Sequence, residues 1–83
     1  MAKVRLTQEA AEGLAELPLV VHARALRLLE RLASWPAVSG AKPLSGDLAG
    51  RFRLRTGDYR IQFRLEGQLV IVEKIGHRDR FYE

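Results

Sequence analysis

The stretch "GRFRLRTGDYRIQFR", Gly50–Arg64, decides the fold, because polar and apolar side chains alternate along it with the period of a β-strand. A two-residue turn at Gly57 and Asp58, with glycine first as in type II′ turns, fixes how its two halves pair. The predicted cross-strand pairs are Arg55 with Arg60, Arg53 with Gln62, and Arg51 with Arg64. The opposite face then carries Phe52, Leu54, Ile61 and Phe63. We therefore predict a hairpin with an apolar underside and five arginines on its upper side.

The segments before this hairpin indicate a short strand and two helices. "KVRLT", Lys3 to Thr7, alternates basic and apolar residues as a half-buried strand does. Thr7 can cap the helix that follows, "QEAAEGLAEL", which Pro18 closes. A second helix runs from Pro18 to about Ser34 and presents an apolar stripe at helical spacing. "SWPAVSGAKPLSGD" then breaks the pattern with two prolines and two glycines.

After the hairpin, a turn at Glu66–Gln68 leads into "LVIVEKI", an apolar run that predicts a strand covered on both faces. The order is thus strand, helix, helix and a three-stranded antiparallel meander. The predicted class is α+β, a single domain over residues 1–83 with two helices packed on one face of a small sheet.

Composition restricts the function classes. The 83 residues contain no cysteine, so disulfides and thiolate metal sites are excluded. The amino-terminal residues do not resemble a signal peptide, and no apolar run reaches the roughly 20 residues that cross a bilayer, so we expect a cytoplasmic protein without a membrane partner. The formal net charge is +4, and residues 51–83 carry eight of the 14 basic side chains against five acidic ones. A polyanion is therefore the leading candidate partner.

The arginine face of the hairpin has three possible explanations. Arg55 opposite Arg60 should repel, and this costs a few tenths of a kcal/mol or more. A solvated strand face, partly neutralised by Glu73 on the next strand, is the simplest explanation. A phosphate-binding surface and a docking surface for an acidic protein segment are the other two. Five coplanar arginines favour the phosphate-binding surface.

The carboxy-terminal segment "EKIGHRDRFYE", Glu73–Glu83, adds further polar groups near the hairpin. Gly76 should end the sheet and release an imidazole, two guanidiniums and two aromatic rings. Tyr82 can stack on an unpaired base, as in proteins that hold single-stranded RNA, or it can seal the edge of the sheet. A histidine side chain in solution has a pKa of about 6.5, which suits proton transfer, so His77 is a candidate acid or base, although a phosphate or backbone contact is the commoner role.

"KPLSGDLAGRFRLRTGDYRIQFRL" followed by "VIVEKIGHRDRFY" resembles the RelE branch of the RelE/ParE toxins of type II toxin-antitoxin systems. The resemblance spans essentially the whole chain. It implies a RelE-like fold and an mRNA endoribonuclease that works in the ribosomal A site, inhibits translation and is neutralised by a cognate antitoxin. The partners it implies are that antitoxin in a hetero-oligomer, the message and ribosomal RNA.

The resemblance also implies site residues. In that family the site consists of two basic residues on the first hairpin strand, an arginine on the next strand, an arginine after the last strand and a terminal tyrosine. These positions correspond here to Arg51, Arg53, Arg60, Arg78 and Tyr82. One departure is that arginines stand at the first two positions, where the best-studied branch has lysines. Arginine stabilises a phosphate well, but its pKa above about 12 makes it a poor base.

The candidate residues divide into two groups. The predicted catalytic residues are Arg53, Arg60, Arg78, Tyr82 and His77. The predicted RNA-binding residues are Arg51, Arg55, Arg64, Lys42, Lys74 and Arg80. No metal ligand set and no cofactor is expected. Two alternatives stay open at this stage: a ParE-like toxin that inhibits DNA gyrase and cuts nothing, and a basic module that binds only an acidic partner.

Overall fold

A computed structural model describes residues 2–81 and contains two helices and a five-stranded mixed sheet. The strands are β1 (Lys3–Leu6), β2 (Lys42–Pro43), β3 (Arg51–Thr56), β4 (Tyr59–Glu66) and β5 (Leu69–His77). The helices are α1 (Gln8–Ala15) and α2 (Leu19–Leu32), and two 3-10 turns span Gly46–Leu48 and Arg78–Arg80. Neither helix of the described part is long and apolar enough to cross a membrane. The predicted α+β class with two helices on a small sheet is confirmed.

The hairpin has the predicted register. Arg55 lies opposite Arg60, and Thr56 opposite Tyr59 closes a two-residue turn in which Gly57 has a φ of 58°. Only Gly57 of the two turn residues has a positive φ, as a type II′ turn requires. The meander of β3, β4 and β5 is therefore antiparallel throughout, as predicted.

Three features of the sheet differ from the sequence-based expectation. β1 joins the sheet by pairing in parallel with β5, and a two-residue β2 pairs with the outer edge of β3, giving the order β1-β5-β4-β3-β2. The prediction that β5 is covered on both faces is wrong. β5 is apolar because it is an interior strand between β1 and β4, with its buried residues on the helix side of the sheet.

The core lies between the two helices and one face of the sheet. Its buried members from the sheet are Leu54, Ile61, Phe63, Val70, Val72 and Ile75, and those from the helices are Ala10, Ala25, Leu28, Leu29 and Leu32. Trp35 packs edge-on against Phe52 and Phe63, with ring centroids 4.9 and 5.3 Å away. Because the helices cover this face, the arginines of the hairpin lie on the opposite, outer face.

Helix α1 approaches β5 unusually closely. Thr7 caps α1 by accepting a hydrogen bond from the backbone of Ala10, and its hydroxyl also donates to the carbonyl of Glu73. A Cβ on Gly13 would lie 2.1 Å from the carbonyl oxygen of Ile75, so only glycine permits this packing. This contact covers the edge of β5 beyond the point where β1 ends.

Candidate functional site

The outer face of the hairpin carries five arginines, which we call the arginine wall: Arg51, Arg53, Arg55, Arg60 and Arg64. The pairings Arg55–Arg60, Arg53–Gln62 and Arg51–Arg64 place them on one side of two adjacent strands. Residues two apart on a strand are separated by roughly 7 Å, so β3 presents a guanidinium at regular intervals along its length. Arg55 is exposed, and the other four are half-buried.

One end of the arginine wall is neutralised by Glu73. Its carboxylate accepts a hydrogen bond from Nε of Arg51 at 2.7 Å and one from Nε2 of Gln62 at 3.2 Å, and its second oxygen lies 3.2 Å from Nε of Arg64. Arg64 also pairs with Glu66. The expected partial neutralisation by Glu73 is therefore observed, and it is confined to Arg51 and Arg64.

Glu73 reaches the outer face because of an irregularity in the pairing of β4 with β5. Gln62 lies opposite Lys74 and Phe63 opposite Val72, so Glu73 is an extra residue without a cross-strand partner. Partial burial raises the pKa of Glu73, but the hydrogen bonds from Arg51 and Gln62 and the charges of Arg51 and Arg64 outweigh burial. The pKa of Glu73 is thus held below its ordinary value, and the group is a fixed anion.

The other end of the arginine wall, next to the Gly57–Asp58 turn, has a different electrostatic character. Arg53 and Arg55 form no ion pair with any carboxylate in residues 2–81. Arg60 lies opposite Arg55 on one side and Gly76 on the other, and the ring of Phe81 lies 3.9 Å from the position that a Cβ of Gly76 would take. The arginines of the wall that no carboxylate of residues 2–81 neutralises, Arg53 and Arg55, therefore lie toward its turn end.

Arg78 lies at the same turn. Its backbone nitrogen donates to the carbonyl of Asp58 at 2.8 Å, which ties the 3-10 turn after β5 to the hairpin. Its Nε lies 3.7 Å from a carboxylate oxygen of Asp58 and 3.6 Å from one of Asp79. Contacts of this length between exposed groups contribute little stability, so the guanidinium can move to a ligand. No local sequence pattern predicts Asp58 as an anchor, because its partner Arg78 is distant in the chain.

His77 lies on the other face of the sheet. It follows Gly76 and is paired with Tyr59, whose ring centroid is 5.1 Å from its own in an edge-on contact. Its Nδ1 accepts a hydrogen bond from the backbone nitrogen of Asp79 at 3.1 Å, which places the proton of a neutral imidazole on Nε2. The structure therefore does not bring His77 onto the arginine wall, and its catalytic role stays a prediction.

The remaining candidates in the described residues lie on β2, on β5 and in the 3-10 turn after β5. Lys42 on β2 lies opposite Arg53 and extends the wall by one cation. Lys74 instead lies against the ring of Phe81, 5.1 Å from its centroid, and lines a cavity with glutamates of α1. Arg80 lines a separate cavity of about 310 Å³ with His77 and Phe81. Tyr82 lies outside the described residues. Within them, no group of three or more histidine, aspartate or glutamate side chains is placed to hold a metal ion.

Comparison with known proteins decides the family. The model for the ParE toxin of type II toxin-antitoxin systems matches residues 4–82. This chain belongs to the RelE/ParE toxin superfamily. Toxin RelG from Mycobacterium tuberculosis is 31% identical to this toxin over 81 residues, covering 95% of this chain and 93% of RelG.

Solved structures agree with this family. The RelBE2 toxin-antitoxin complex from Mycobacterium tuberculosis contains a chain that is similar to this toxin with a TM-score of 0.80 and 30% identity, covering 93% of this chain and 98% of that one. The isolated RelE toxin of E. coli superposes with a TM-score of 0.79 at 14% identity, covering 96% of this chain and 87% of RelE. The latter likeness is one of fold.

Proposed function

We propose that this toxin is a ribosome-dependent endoribonuclease that cleaves messenger RNA in the ribosomal A site, acts in the cytoplasm and is silenced by a cognate antitoxin. The proposal rests on one observation above the others: at the turn end of the arginine wall, next to Arg60, no carboxylate of residues 2–81 pairs with Arg53 or Arg55. Structures similar to this chain include toxin-antitoxin complexes from Mycobacterium tuberculosis and Methanococcus jannaschii, which supports an antitoxin partner in a hetero-oligomer.

The chemistry that suits this surface is attack by the RNA's own 2′-hydroxyl. The 2′-oxygen forms a bond to phosphorus, the bond from phosphorus to the 5′-oxygen breaks, and a 2′,3′-cyclic phosphate and a 5′-hydroxyl result. A base must take the 2′-hydroxyl proton, and an acid must protonate the departing oxygen. The positive charge that the pentacoordinate phosphate requires would come from Arg53, Arg60 and Arg78, so the proposed step needs no metal ion.

The candidate catalytic residues on this surface differ in whether they can transfer a proton. Guanidiniums remain protonated and cannot serve as bases. Both carboxylate oxygens of Glu73 are already engaged by Arg51, Gln62 and Arg64, so Glu73 is better suited to positioning than to catalysis. Tyr82 of the terminal segment is the proton-transfer group of this proposal, and Arg51, Arg55, Arg64 and Lys42 are proposed to bind the RNA backbone.

A ParE-like inhibitor of DNA gyrase is the second candidate function. Two observations favour it: the family model for the ParE toxin matches residues 4–82, and arginines stand where the best-studied RelE branch has lysines that could act as bases. Such a toxin would use the same cationic face to bind its target without cutting RNA.

Purified ribosomes carrying a bound message test the two functions together. The proposed function predicts new 5′ ends within the A-site codon when the toxin is added, and none when ribosomes are omitted. In a parallel reaction, DNA gyrase should supercoil plasmid at its normal rate in the presence of toxin. An intact message together with arrested supercoiling would refute the nuclease and support the ParE-like inhibitor.

A further inference from the structure

A second cluster of cations lies at the open edge of β3, partly on the helix side of the sheet. A cavity of about 290 Å³ opens there between α2, the loop at Ser39–Gly40 and the strand edge. Four of its lining residues are cationic: Arg31, Lys42, Arg53 and Arg55. The remaining lining residues are Leu28, Ser39, Gly40 and Leu54, so no carboxylate of the described residues borders the cavity. Four like charges around one cavity repel each other, and an anion bound in the cavity would offset that repulsion.

The strand order explains why the cavity exists. β2 pairs with β3 only at Lys42 opposite Arg53 and Pro43 opposite Phe52. Beyond that pair the edge of β3 is not covered by another strand, and Arg55 is exposed. Side chains from the outer face of the sheet and from α2 can therefore approach the same space around this edge.

Arg31 comes from the last turn of α2, which otherwise packs on the core face. Its Nη2 donates to the carbonyl oxygen of Ser39 at 2.9 Å and to the Ser39 hydroxyl at 3.0 Å. These two bonds hold the guanidinium at the mouth of the cavity, and Arg31 makes no ion pair within residues 2–81. Its charge is thus positioned but not neutralised.

Arg53 supplies an independent observation. Its Nε is shielded from solvent, yet it donates no hydrogen bond to any described residue. A shielded donor without a partner destabilises the folded state, so such donors in native proteins are usually paired with protein, ordered water or a ligand. Arg53 belongs both to the arginine wall and to this cavity, which makes the two surfaces continuous.

We propose that this cavity is a second phosphate-binding subsite, which holds a backbone phosphate of the RNA outside the linkage that lies on the arginine wall. The inference rests on the proposed function, since it names RNA as the ligand. RNA is favoured over an acidic protein segment because the cations share a single concave space and continue onto the wall. A polynucleotide presents phosphates at regular intervals along its backbone, and the planar donor fork of a guanidinium fits a phosphate. The inference assigns Arg31, a residue of the helical layer, to the RNA-binding surface.

Binding of a short fluorescein-labelled 2′-O-methyl oligouridylate, which cannot be cleaved, tests the subsite in the full chain. Fluorescence anisotropy at several salt concentrations gives the affinity and its salt dependence. Arg31→Gln should weaken binding several-fold and reduce the slope of log affinity against log salt by about 0.7, the value for one phosphate contact with a single strand. Arg27→Gln is the matched control, because it removes an equal charge from the exposed surface of the same helix outside the cavity. Equal effects of the two variants, or no effect of Arg31→Gln, would overturn the inference.

Arg31→Lys separates binding from loop positioning. It keeps the charge but cannot reproduce the guanidinium contacts with Ser39, and we expect it to retain most of the salt slope. A loss equal to that of Arg31→Gln, or a loss of thermal stability in both variants, would assign Arg31 to the loop and overturn the inference. The affinity of Arg31→Gln for the antitoxin is measured as well. If that affinity falls while the affinity for RNA does not, the cavity binds a protein carboxylate, and the inference is overturned.

The ribosome assay distinguishes failure of this inference from failure of the proposed function. Selective loss of oligouridylate binding in Arg31→Gln, with the message left intact by the wild-type toxin, would support the subsite and refute the nuclease. Cleavage of the message by the wild-type toxin, with no selective effect of Arg31→Gln on the oligouridylate, would refute the subsite alone.

Discussion

Nε of Arg51 lies 2.7 Å from a carboxylate oxygen of Glu73, and this pair divides the outer face of the sheet into two parts. On the side of Arg51 and Arg64, guanidiniums are held by a fixed anion. On the side of the Gly57–Asp58 turn, Arg53 and Arg55 are not paired with any carboxylate of residues 2–81. We interpret the first part as structural support that also binds the RNA backbone, and the second as the surface that acts on the scissile phosphate.

Replacing Glu73 by glutamine should destabilise the fold. The side chain is only 20% exposed and contacts Arg51, Gln62 and Arg64, so loss of its charge leaves Arg51 without an anion and removes one of the two carboxylates that pair with Arg64. We expect the free energy of unfolding to fall by about 1–3 kcal/mol in urea denaturation. Glu66→Gln is the control, because Glu66 is 61% exposed and pairs with Arg64 alone, and it should cost less than about 1 kcal/mol. Equal losses in the two variants would contradict a special role for Glu73.

The stabilisation by Glu73 should depend on pH with a defined sign. Its pKa is lower in the folded protein than the ordinary value of 4.5, so the folded state binds this proton less readily than the unfolded state. The contribution is therefore complete above pH 4.5 and is lost as the pH falls below it. The difference in unfolding free energy between wild type and Glu73→Gln should be constant near neutrality and shrink in acid. A difference that widened in acid would show that the sign is wrong.

Gly13→Ala should destabilise the protein although alanine favours helices. Alanine in place of glycine inside a helix usually gains roughly 0.5–1 kcal/mol. Here the added Cβ would lie 2.1 Å from the carbonyl oxygen of Ile75, and relieving that clash requires α1 to move from β5. We expect a net loss of about 1–3 kcal/mol by thermal or chemical unfolding. Glu12→Ala, at the exposed neighbouring position, should stay within about 0.5 kcal/mol, and a stabilised Gly13→Ala protein would refute this packing.

His77→Asn distinguishes a capping role from a catalytic one. Asparagine can accept the hydrogen bond from the Asp79 backbone that Nδ1 of His77 accepts now, but it cannot transfer protons near neutral pH. Because His77 lies on the face opposite the arginine wall, we expect message cleavage on ribosomes to change by less than about tenfold. A general acid or base contributes roughly 10²–10⁴-fold, so a loss of that size in a folded variant would identify His77 as catalytic.

The hairpin register could be predicted from the sequence because two local signals agree. The two-residue turn at Gly57 and Asp58 fixes which residues face each other, and strict alternation fixes which face is buried. The arginine wall follows from these signals alone. The two helices could also be predicted from the sequence, because Thr7 and Pro18 mark their limits.

The features that shape the site depend on contacts between distant parts of the chain. The extra residue at Glu73 falls in an apolar run that has no alternation, so its face could not be read from the pattern. Because Glu73 is an extra residue, the alternation of faces shifts by one position after it, and this shift places His77 on the helix side of the sheet. The cavity at the β3 edge requires Arg31 and Lys42 to meet across α2 and a two-residue strand, and no local signal predicts such a meeting.

Our central claim is that the turn end of the arginine wall, and not the end held by Glu73, acts on the scissile phosphate. Arg60 and Arg64 offer a matched comparison, since both are half-buried arginines on the outer face of β4. The decisive measurement is the single-turnover rate of message cleavage on purified ribosomes by the two glutamine variants. We predict that Arg60→Gln slows cleavage by roughly 10²–10³-fold and that Arg64→Gln slows it by less than about tenfold. Equal rates in the two variants, or full activity of folded Arg60→Gln, would contradict the account.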